Sequence, residues 1–301
     1  MVDIPFQSEH FPGRTTPNTS ADLTVNWGDI LWAAVTVGRP TMFQVLRHGT
    51  ASIYEALFRI AMVRMALEQR GPAATRLRRT SAFKTLDPTE KGAVNYFLGL
   101  TFCKMFAAKL LKTPWLLHLD VYRPALTTLL PGRSRPDLIG KQSGRGPWHS
   151  FESKGRASPP SNAVKTAAKA QATRIVSVGR SRCRLHVGAI TYFKGDVLSF
   201  YWCDPPADAT LAAELDFREE DWQHYYLPVS KLYDDSRARA GIADNETDLV
   251  PVEGADLRVG LHPSVAQYIL QGRWREARDA AYEARRELAA AEFQSDGIKV
   301  V

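Results

Sequence analysis

Cysteine is scarce in this chain of 301 residues. Cys103, Cys183 and Cys203 are odd in number, lie far apart and stand among apolar residues, so neither a disulfide framework nor a zinc site is predicted. No uninterrupted apolar run reaches the roughly 18 residues that span a bilayer, and the N-terminus lacks the charged and then apolar order of a signal peptide. We therefore expect a cytoplasmic protein without a membrane partner.

Two common catalytic motifs are also missing. The sequence contains no G-x-S-x-G turn for a nucleophilic serine and no GKS or GKT loop for a nucleoside triphosphate, so neither a serine hydrolase nor an NTPase is predicted. The composition is that of a globular protein, with 45% hydrophobic and 24% charged residues. A chain of this length buries one large core or two smaller ones.

Positive charge is concentrated in one segment. The net charge of the whole chain is +7, whereas residues 133–184 carry twelve Lys or Arg against two acids, a net charge of +10. The rest of the chain is therefore slightly acidic. Such a concentration is typical of a surface that binds a polyanion, because each neutralised phosphate releases condensed counterions. A solvated basic face without a ligand is the alternative interpretation.

The order of predicted elements indicates an α/β (α+β) protein. Residues 1–24, rich in Pro, Thr and Ser, are predicted to be an irregular arm, and two or three helices precede Gly71. Asp87, Pro88 and Glu90 form a helix start with a capping box, and that helix is predicted to end near Lys112. Short strands then follow, interrupted by one alanine-rich helix predicted to end at Gly179, which gives the order α-β-β-β-α-β-β.

The C-terminal hundred residues begin as a mixed, loop-rich stretch and end in a helical segment with a predicted interruption near Gly272. The chain is accordingly divided into three regions. They are an N-terminal arm and helical region (1–84), a core (85–204) and a C-terminal mixed and helical extension that packs on the core (205–301).

The two acids of the basic segment stand on neighbouring predicted strands. Asp137 lies at one end of the first, and Glu152 and Lys154 lie two apart on the next, so their side chains leave the same face of the sheet. If these strands form a hairpin, Asp137 approaches Glu152. Two carboxylates that converge in a basic groove repel each other unless a cation lies between them, which predicts a Mg²⁺ site. A structural cluster of ion pairs with nearby arginines is the alternative.

These residues resemble a known family. "RPD" at 135–137, followed by "ESK" at 152–154, resembles the signature of the PD-(D/E)xK nuclease superfamily, also called restriction-endonuclease-like. The resemblance covers about residues 87–203. It implies a restriction-endonuclease-like core, with a mixed central sheet flanked by helices, in which Asp137, Glu152 and Lys154 are catalytic. Asp137 and Glu152 would bind Mg²⁺, for which Mn²⁺ would substitute.

Other family positions are matched by weaker candidates. Many members carry a further acid on the first core helix, where Glu90 is the candidate third metal ligand, with a capping-box role as the alternative. Many also carry a polar residue on the helix after the third strand, where the resemblance suggests Gln171, Lys165 or Lys169. The residues predicted to contact nucleic acid are Arg135, Lys141, Arg145, Arg156, Lys165, Lys169, Gln171 and Arg174.

The histidines are predicted to be structural. On a regular strand His149 faces away from Glu152, because the two residues are three apart, and His118 and His186 stand in apolar strands. No histidine is therefore expected among the ligands or catalytic groups.

The expected function is metal-dependent hydrolysis of DNA phosphodiester bonds by an endonuclease, in a restriction or phage-defence setting that rests on fold-level analogy. Two alternatives stay open, an RNA-directed nuclease and a non-catalytic nucleic-acid-binding or complex-assembly protein with a nuclease-like fold. Cutting both strands of a duplex usually needs two sites, which favours a homodimer. A partner protein of a defence system is the other expected protein partner.

Overall fold

A mixed central sheet with helices on both of its faces organises the chain. The computed structural model describes residues 1–13, 18–38, 51–71, 74–127, 135–143, 145–206, 212–242 and 249–301. Within these ranges the strands are β1 (Val2–Glu9), β2 (Thr19–Val25), β3 (Leu67–Glu68), β4 (Arg78–Arg79), β5 (Trp115–His118), β6 (Leu138–Lys141), β7 (Trp148–Gly155), β8 (Ile175–Val178), β9 (Ser181–Lys194), β10 (Val197–Cys203), β11 (Ala213–Leu215), β12 (Leu249–Pro251), β13 (Arg258–Leu261) and β14 (Ile298–Val300).

Helices connect and cover these strands. The described α-helices are α1 (Trp27–Thr36), α2 (Ala51–Ala66), α3 (Ser81–Thr85), α4 (Pro88–Leu111), α5 (Asn162–Ala172), α6 (Gln223–Ala240), α7 (Pro263–Leu270), α8 (Trp274–Glu283) and α9 (Arg285–Ala290). Short 3₁₀ helices cover Leu119–Ala125 and Glu219–Trp222. The break between α7 and α8 falls at Gly272, whose φ of +70° suits glycine, which confirms the predicted interruption.

The central sheet has the strand order β2-β1-β10-β9-β7-β6-β5 along its main path. The pairs β1–β10 and β7–β9 are parallel, and the other neighbours on this path are antiparallel. Strands β12, β13 and β14 form a separate three-stranded antiparallel sheet. The predicted mixed sheet flanked by helices is therefore confirmed. The three-region division of the chain stays a prediction.

The N-terminal residues are not an irregular arm, and that prediction is wrong. They form the hairpin of β1 and β2, and β1 pairs in parallel with β10 at one side of the central sheet. Val2, Ile4 and Phe6 are buried and alternate with half-buried residues. This period of two is that of a strand with one face on the core, and it outweighs the Pro and Ser content of the segment.

The core order is confirmed with one correction. Helix α4, strands β5 to β7, helix α5 and strands β9 and β10 follow one another as predicted. The predicted helix that ends at Gly179 stops instead at Ala172, and Ile175–Val178 forms the additional strand β8. Ile175 and two valines account for the change, since β-branched side chains favour strands.

Helix α4 is the central core helix. Asp87 accepts hydrogen bonds from the backbone N–H groups of Thr89 (2.6 Å) and Glu90, and the Glu90 carboxylate accepts one from the N–H of Asp87 (3.2 Å), which confirms the capping box. By length and mean hydropathy α4 would be able to cross a membrane, but 72% of its most apolar window is buried within the protein. That burial is expected of a core helix in a soluble α/β domain.

Two glycines allow α4 to cross the end of β7 in close contact. A Cβ atom on Gly155 would lie 1.6 Å from the backbone oxygen of Asn95, and one on Gly99 would lie 2.9 Å from the backbone nitrogen of Gly155. Backbone atoms cannot move aside as a flexible side chain can. The close crossing therefore depends on glycine at both positions, and it brings the middle of α4 next to Lys154.

We expect Gly155→Ala to lower the free energy of unfolding by about 2 kcal/mol or more, because the new methyl group forces α4 away from β7. Urea unfolding followed by circular dichroism measures the change. The matched control is Gly92→Ala, also at α4, where a Cβ atom meets nothing within 4 Å. This control should raise stability by about 0.5–1 kcal/mol through helix propensity. Equal effects of the two substitutions would contradict the close crossing.

Candidate active site

The carboxyl groups of Asp137 and Glu152 meet across two antiparallel strands. In the β6–β7 pair Leu138 lies opposite Phe151, and the same register continued by one residue places Asp137 opposite Glu152. Directly opposed residues project from the same face. The Oδ2 atom of Asp137 accepts a hydrogen bond of 3.0 Å from the backbone N–H of Ser153, which fixes this carboxyl group at the strand end. The predicted approach of the two acids is confirmed.

Lys154 lies beside them on the same face of β7. Its ammonium group donates to Glu152 Oε1 at 2.7 Å and to Gln171 Oε1 at 2.8 Å. Gln171 is on α5, the helix that follows β7 and packs back on it. Two acceptors from different elements thus hold the lysine nitrogen in one position next to the carboxyl pair.

These groups line an open cleft of about 410 Å³. Tyr96 from α4 and His118 from β5 form one wall, and Arg156, directly after β7, contributes to another. Arg135 and Asp120 also line the cleft, and the Nε atom of Arg135 donates to Asp120 Oδ1 at 2.6 Å. The cleft therefore combines a carboxyl pair with several cationic side chains.

Burial makes the carboxyl pair unusual. Glu152 is only 4% exposed, and burial raises the pKa of its carboxyl to about 8, with the Asp137 charge adding to the shift. Burial likewise raises the pKa of Asp137 to about 6. Among the described residues Glu152 Oε2 has no hydrogen-bond partner. A buried acceptor without a donor beside a second carboxyl group is a fitting position for a cation.

The donor set suits Mg²⁺ or Mn²⁺ rather than zinc. In the part of the chain that the structure describes, no group of three or more His, Cys, Asp or Glu side chains gathers around one point. A cation between Asp137 and Glu152 would therefore take two protein carboxylates and complete its shell with water or substrate oxygens. Mg²⁺ commonly binds in this way.

His118 and Tyr96 line the cleft, whereas the sequence predicts a structural role for His118 and none for Tyr96. His118 is 4% exposed and lies among the cleft residues. Its Nδ1 atom accepts a hydrogen bond of 3.2 Å from the backbone N–H of Asp120, and its Nε2 atom lies 3.3 Å from the Tyr96 hydroxyl. The available signal was the position of His118 at the end of a strand that neighbours the Asp137 strand.

The hydrogen bonds of His118 and Tyr96 show where their protons lie. A backbone N–H only donates, so Nδ1 of His118 is unprotonated and the ring is the neutral Nε2–H form, consistent with burial that lowers its pKa to about 4. Nε2–H then donates to the Tyr96 oxygen. Burial also raises the pKa of Tyr96 to about 12, so the phenol keeps its own proton. That proton is available to an acceptor in the cleft.

Three of the predicted nucleic-acid contacts, Arg135, Arg156 and Gln171, line the cleft. Lys165 instead lines a second cavity on another side of α5, where its ammonium group lies 3.8 Å from the centroid of the Tyr201 ring. Arg174 is half-buried just after α5. These placements divide the predicted contacts between two surfaces.

Lys141 and Lys169, also predicted to contact nucleic acid, have buried side chains with internal acceptors. The ammonium group of Lys141 donates to the backbone oxygen of Gly146, and that of Lys169 pairs with Asp204. Lys169 also lines the second cavity beside Lys165, and the contact of both lysines with nucleic acid stays a prediction. Arg145 is exposed in the turn between β6 and β7, at the end of these strands away from Asp137.

Glu90, His149 and His186 lie outside the cleft. Glu90 is exposed and caps α4, outside the group of residues that line the cleft, so the capping role is the one observed. His149 is buried, and His186 bonds with Ser150 Oγ at 2.9 Å. Neither histidine is among the residues that line the cleft, and their structural role stays a prediction.

In comparisons with known proteins, the chain matches no family model, no curated protein and no solved structure.

The raised pKa of Glu152 predicts a pH-dependent stability. Between its ordinary value of 4.5 and about 8, the folded protein keeps a proton that the unfolded chain releases, so the free energy of unfolding falls as the pH rises through this window. A glutamine side chain at this position cannot ionise. We expect Glu152→Gln to be more stable than the wild type at pH 8.5, by about 1–3 kcal/mol, and to lose most of that advantage at pH 4.5.

Urea unfolding in EDTA at the two pH values measures this difference. The exposed Glu90→Gln variant is the control, and its difference from the wild type should change little across the same window. A constant offset between Glu152→Gln and the wild type at both pH values would show that Glu152 does not bind its proton more tightly in the folded state.

Proposed function

We propose that this protein is a metal-dependent nuclease that hydrolyses DNA phosphodiester bonds, with a restriction-endonuclease-like core of the PD-(D/E)xK type. The observation that carries the proposal is the register of β6 and β7, which sets Asp137 opposite Glu152 with Lys154 on the same face. A buried carboxyl pair beside a fixed ammonium group, in a cleft that two arginines also line, is suited to phosphate chemistry. The order of α4, β5 to β7 and α5 supports the same assignment.

Asp137 and Glu152 are the groups that would hold Mg²⁺ or Mn²⁺. When bound, such an ion lowers the pKa of water and polarises the phosphoryl group. Lys154 Nζ, anchored by Glu152 and Gln171, is positioned to donate a hydrogen bond to the attacking water or to neutralise charge that develops on the phosphate.

The other wall of the cleft supplies hydrogen-bond donors. The Tyr96 phenol, oriented by the Nε2–H group of His118, can donate its proton in a hydrogen bond to a phosphate oxygen. Arg135 and Arg156 bring guanidinium groups to the same cleft, and guanidinium groups bind phosphate with two donors. Binding, orientation and charge stabilisation are thus assigned to separate side chains.

A non-catalytic nucleic-acid-binding or assembly role is the second candidate. The observation that favours it is the internal pairing of Lys154 with Glu152, together with the lack of a three-residue ligand group in the described ranges. In that case the acids would only balance the charge of the neighbouring cations. By analogy at the level of the fold, we propose a cytoplasmic role in restriction or phage defence.

Substitution of Asp137 and of Lys154 tests the proposal. We expect the wild type to cleave supercoiled plasmid, linear duplex or single-stranded DNA in the presence of Mg²⁺ or Mn²⁺. Asp137→Asn and Lys154→Met should each lower the rate by about 100-fold or more, since each removes a group that acts on the reacting phosphate. Gel electrophoresis of the products over time measures the rates, and RNA serves as a parallel substrate.

Glu90→Gln is the matched control, because it changes an acid of the same region outside the cleft and should keep wild-type activity. Equal cleavage by all four proteins would assign the activity to another site or to a contaminant. DNA binding without cleavage by the wild type, unchanged in Asp137→Asn, would favour the non-catalytic candidate. Cleavage restricted to RNA would reassign the substrate.

A further inference from the structure

Exposed aromatic side chains are clustered beside the cleft. Seven large apolar side chains are exposed in the described part of the chain, and three of them, Tyr54, Phe58 and Tyr96, lie on the neighbouring helices α2 and α4. Tyr54 is 59%, Phe58 54% and Tyr96 38% exposed. Tyr54 and Phe58 are four residues apart on α2, which places them on one helix face.

Ring contacts connect Phe58 to the cleft. The Phe58 and Phe97 centroids are 6.0 Å apart at an angle of 87°, and those of Phe97 and Tyr96 are 5.3 Å apart at 69°. The Tyr96 hydroxyl then reaches His118 at the cleft wall. We call Phe58, Phe97 and Tyr96 the aromatic row. It begins inside the cleft and ends on the surface of α2.

Packing holds the row in place. The guanidinium group of the buried Arg59 lies 5.4 Å from the Phe97 centroid, and it bonds with Glu55 at 2.9 Å. The outer faces of Phe58 and Tyr96 remain in contact with solvent. Rings that are anchored on one side and open on the other lose little conformational freedom when a ligand stacks on them.

The exposed area is small for a protein interface. An aromatic side chain presents about 150–250 Å², so Tyr54, Phe58 and Tyr96 at about half exposure offer together roughly 300 Å². A stable protein–protein interface buries about 800 Å² on each partner. The area instead suits one or two flat ligands, such as nucleobases, each stacked on one ring.

The charges next to the row indicate the same ligand. Lys154, Arg135 and Arg156 line the cleft that Tyr96 also lines, and they belong to the segment 133–184, whose net charge is +10 against +7 for the whole chain. Proteins that bind single strands combine a cationic groove for the phosphates with aromatic rings for the bases. The bases of an intact duplex are stacked inside it and cannot lie flat on such rings.

We propose that the aromatic row binds unpaired bases of a single-stranded polynucleotide whose phosphates contact Arg135, Lys154 and Arg156 in the neighbouring cleft. Where the proposal concerns the substrate, it rests on the proposed nuclease function. It then restricts the substrates to single strands, frayed ends or flaps. As a statement about binding it can be measured without cleavage.

The test is fluorescence anisotropy in EDTA with a fluorescein-labelled single-stranded DNA 20-mer, an RNA 20-mer of the same sequence and the blunt DNA duplex. The wild type should bind the single strand more tightly than the duplex. Phe58→Ala should weaken single-strand binding by about 5- to 150-fold, the loss of one stacked base, and leave duplex binding unchanged. Phe58→Trp should retain tight binding.

Two controls separate stacking from charge and from general surface effects. Tyr282→Ala removes an aromatic side chain of similar exposure (40%) on α8 and should bind like the wild type. Phe58→Ala should keep the wild-type salt dependence, because no charge is removed, whereas Arg156→Ala should weaken that dependence.

The inference is overturned if the wild type binds no single strand, if it prefers the duplex, or if Phe58→Ala binds as the wild type does. It is also overturned if light scattering shows a wild-type dimer that Phe58→Ala converts to a monomer, since the row would then be a subunit interface. Single-strand binding that depends on Phe58 without any metal-dependent cleavage would overturn the nuclease function and leave the binding site standing.

Discussion

The burial of two carboxyl groups opposite each other, Asp137 and Glu152, is the constraint on which the rest of the site depends. Water would normally screen their repulsion, but Glu152 is almost fully enclosed. Two hydrogen bonds offset part of this unfavourable burial. A backbone N–H group donates to Asp137, and the Lys154 ammonium group donates to Glu152. One oxygen of Glu152 has no partner among the described residues. Buried carboxyl groups with strongly shifted pKa values are common at functional sites.

The fold supplies this constraint through elements on both faces of the sheet. The register of β6 and β7 sets the two acids opposite each other, α5 brings Gln171 to Lys154, and α4 crosses β7 closely because Gly99 and Gly155 have no side chains. The same crossing brings Tyr96 into the cleft. Glu152, Lys154 and Tyr96 lie on regular elements, and Asp137 directly precedes β6, which favours a defined geometry for chemistry.

Local sequence signals predict the order of the central helices and strands, but they do not predict the long-range contacts between them. The cap at Asp87, the alternation around Glu152 and the order of helices and strands are local properties, and the structure confirms them. The strand nature of β1 was hidden by Pro5, and β8 by the alanine-rich helix before it. His118 and Tyr96 are 22 residues apart in the chain, and they meet only because α4 packs across the sheet. Periodicity within one element carries no information about such a meeting.

Binding of Mn²⁺ at pH 8 shows whether the carboxyl groups of Asp137 and Glu152 hold a divalent cation. Isothermal titration calorimetry, supported by the electron paramagnetic resonance signal of free Mn²⁺, counts the ions bound per chain. We expect one Mn²⁺ per chain that depends on both acids, bound by the wild type and Lys154→Met and lost in Asp137→Asn. Equal binding by the wild type and Asp137→Asn, or no binding by either, would contradict it.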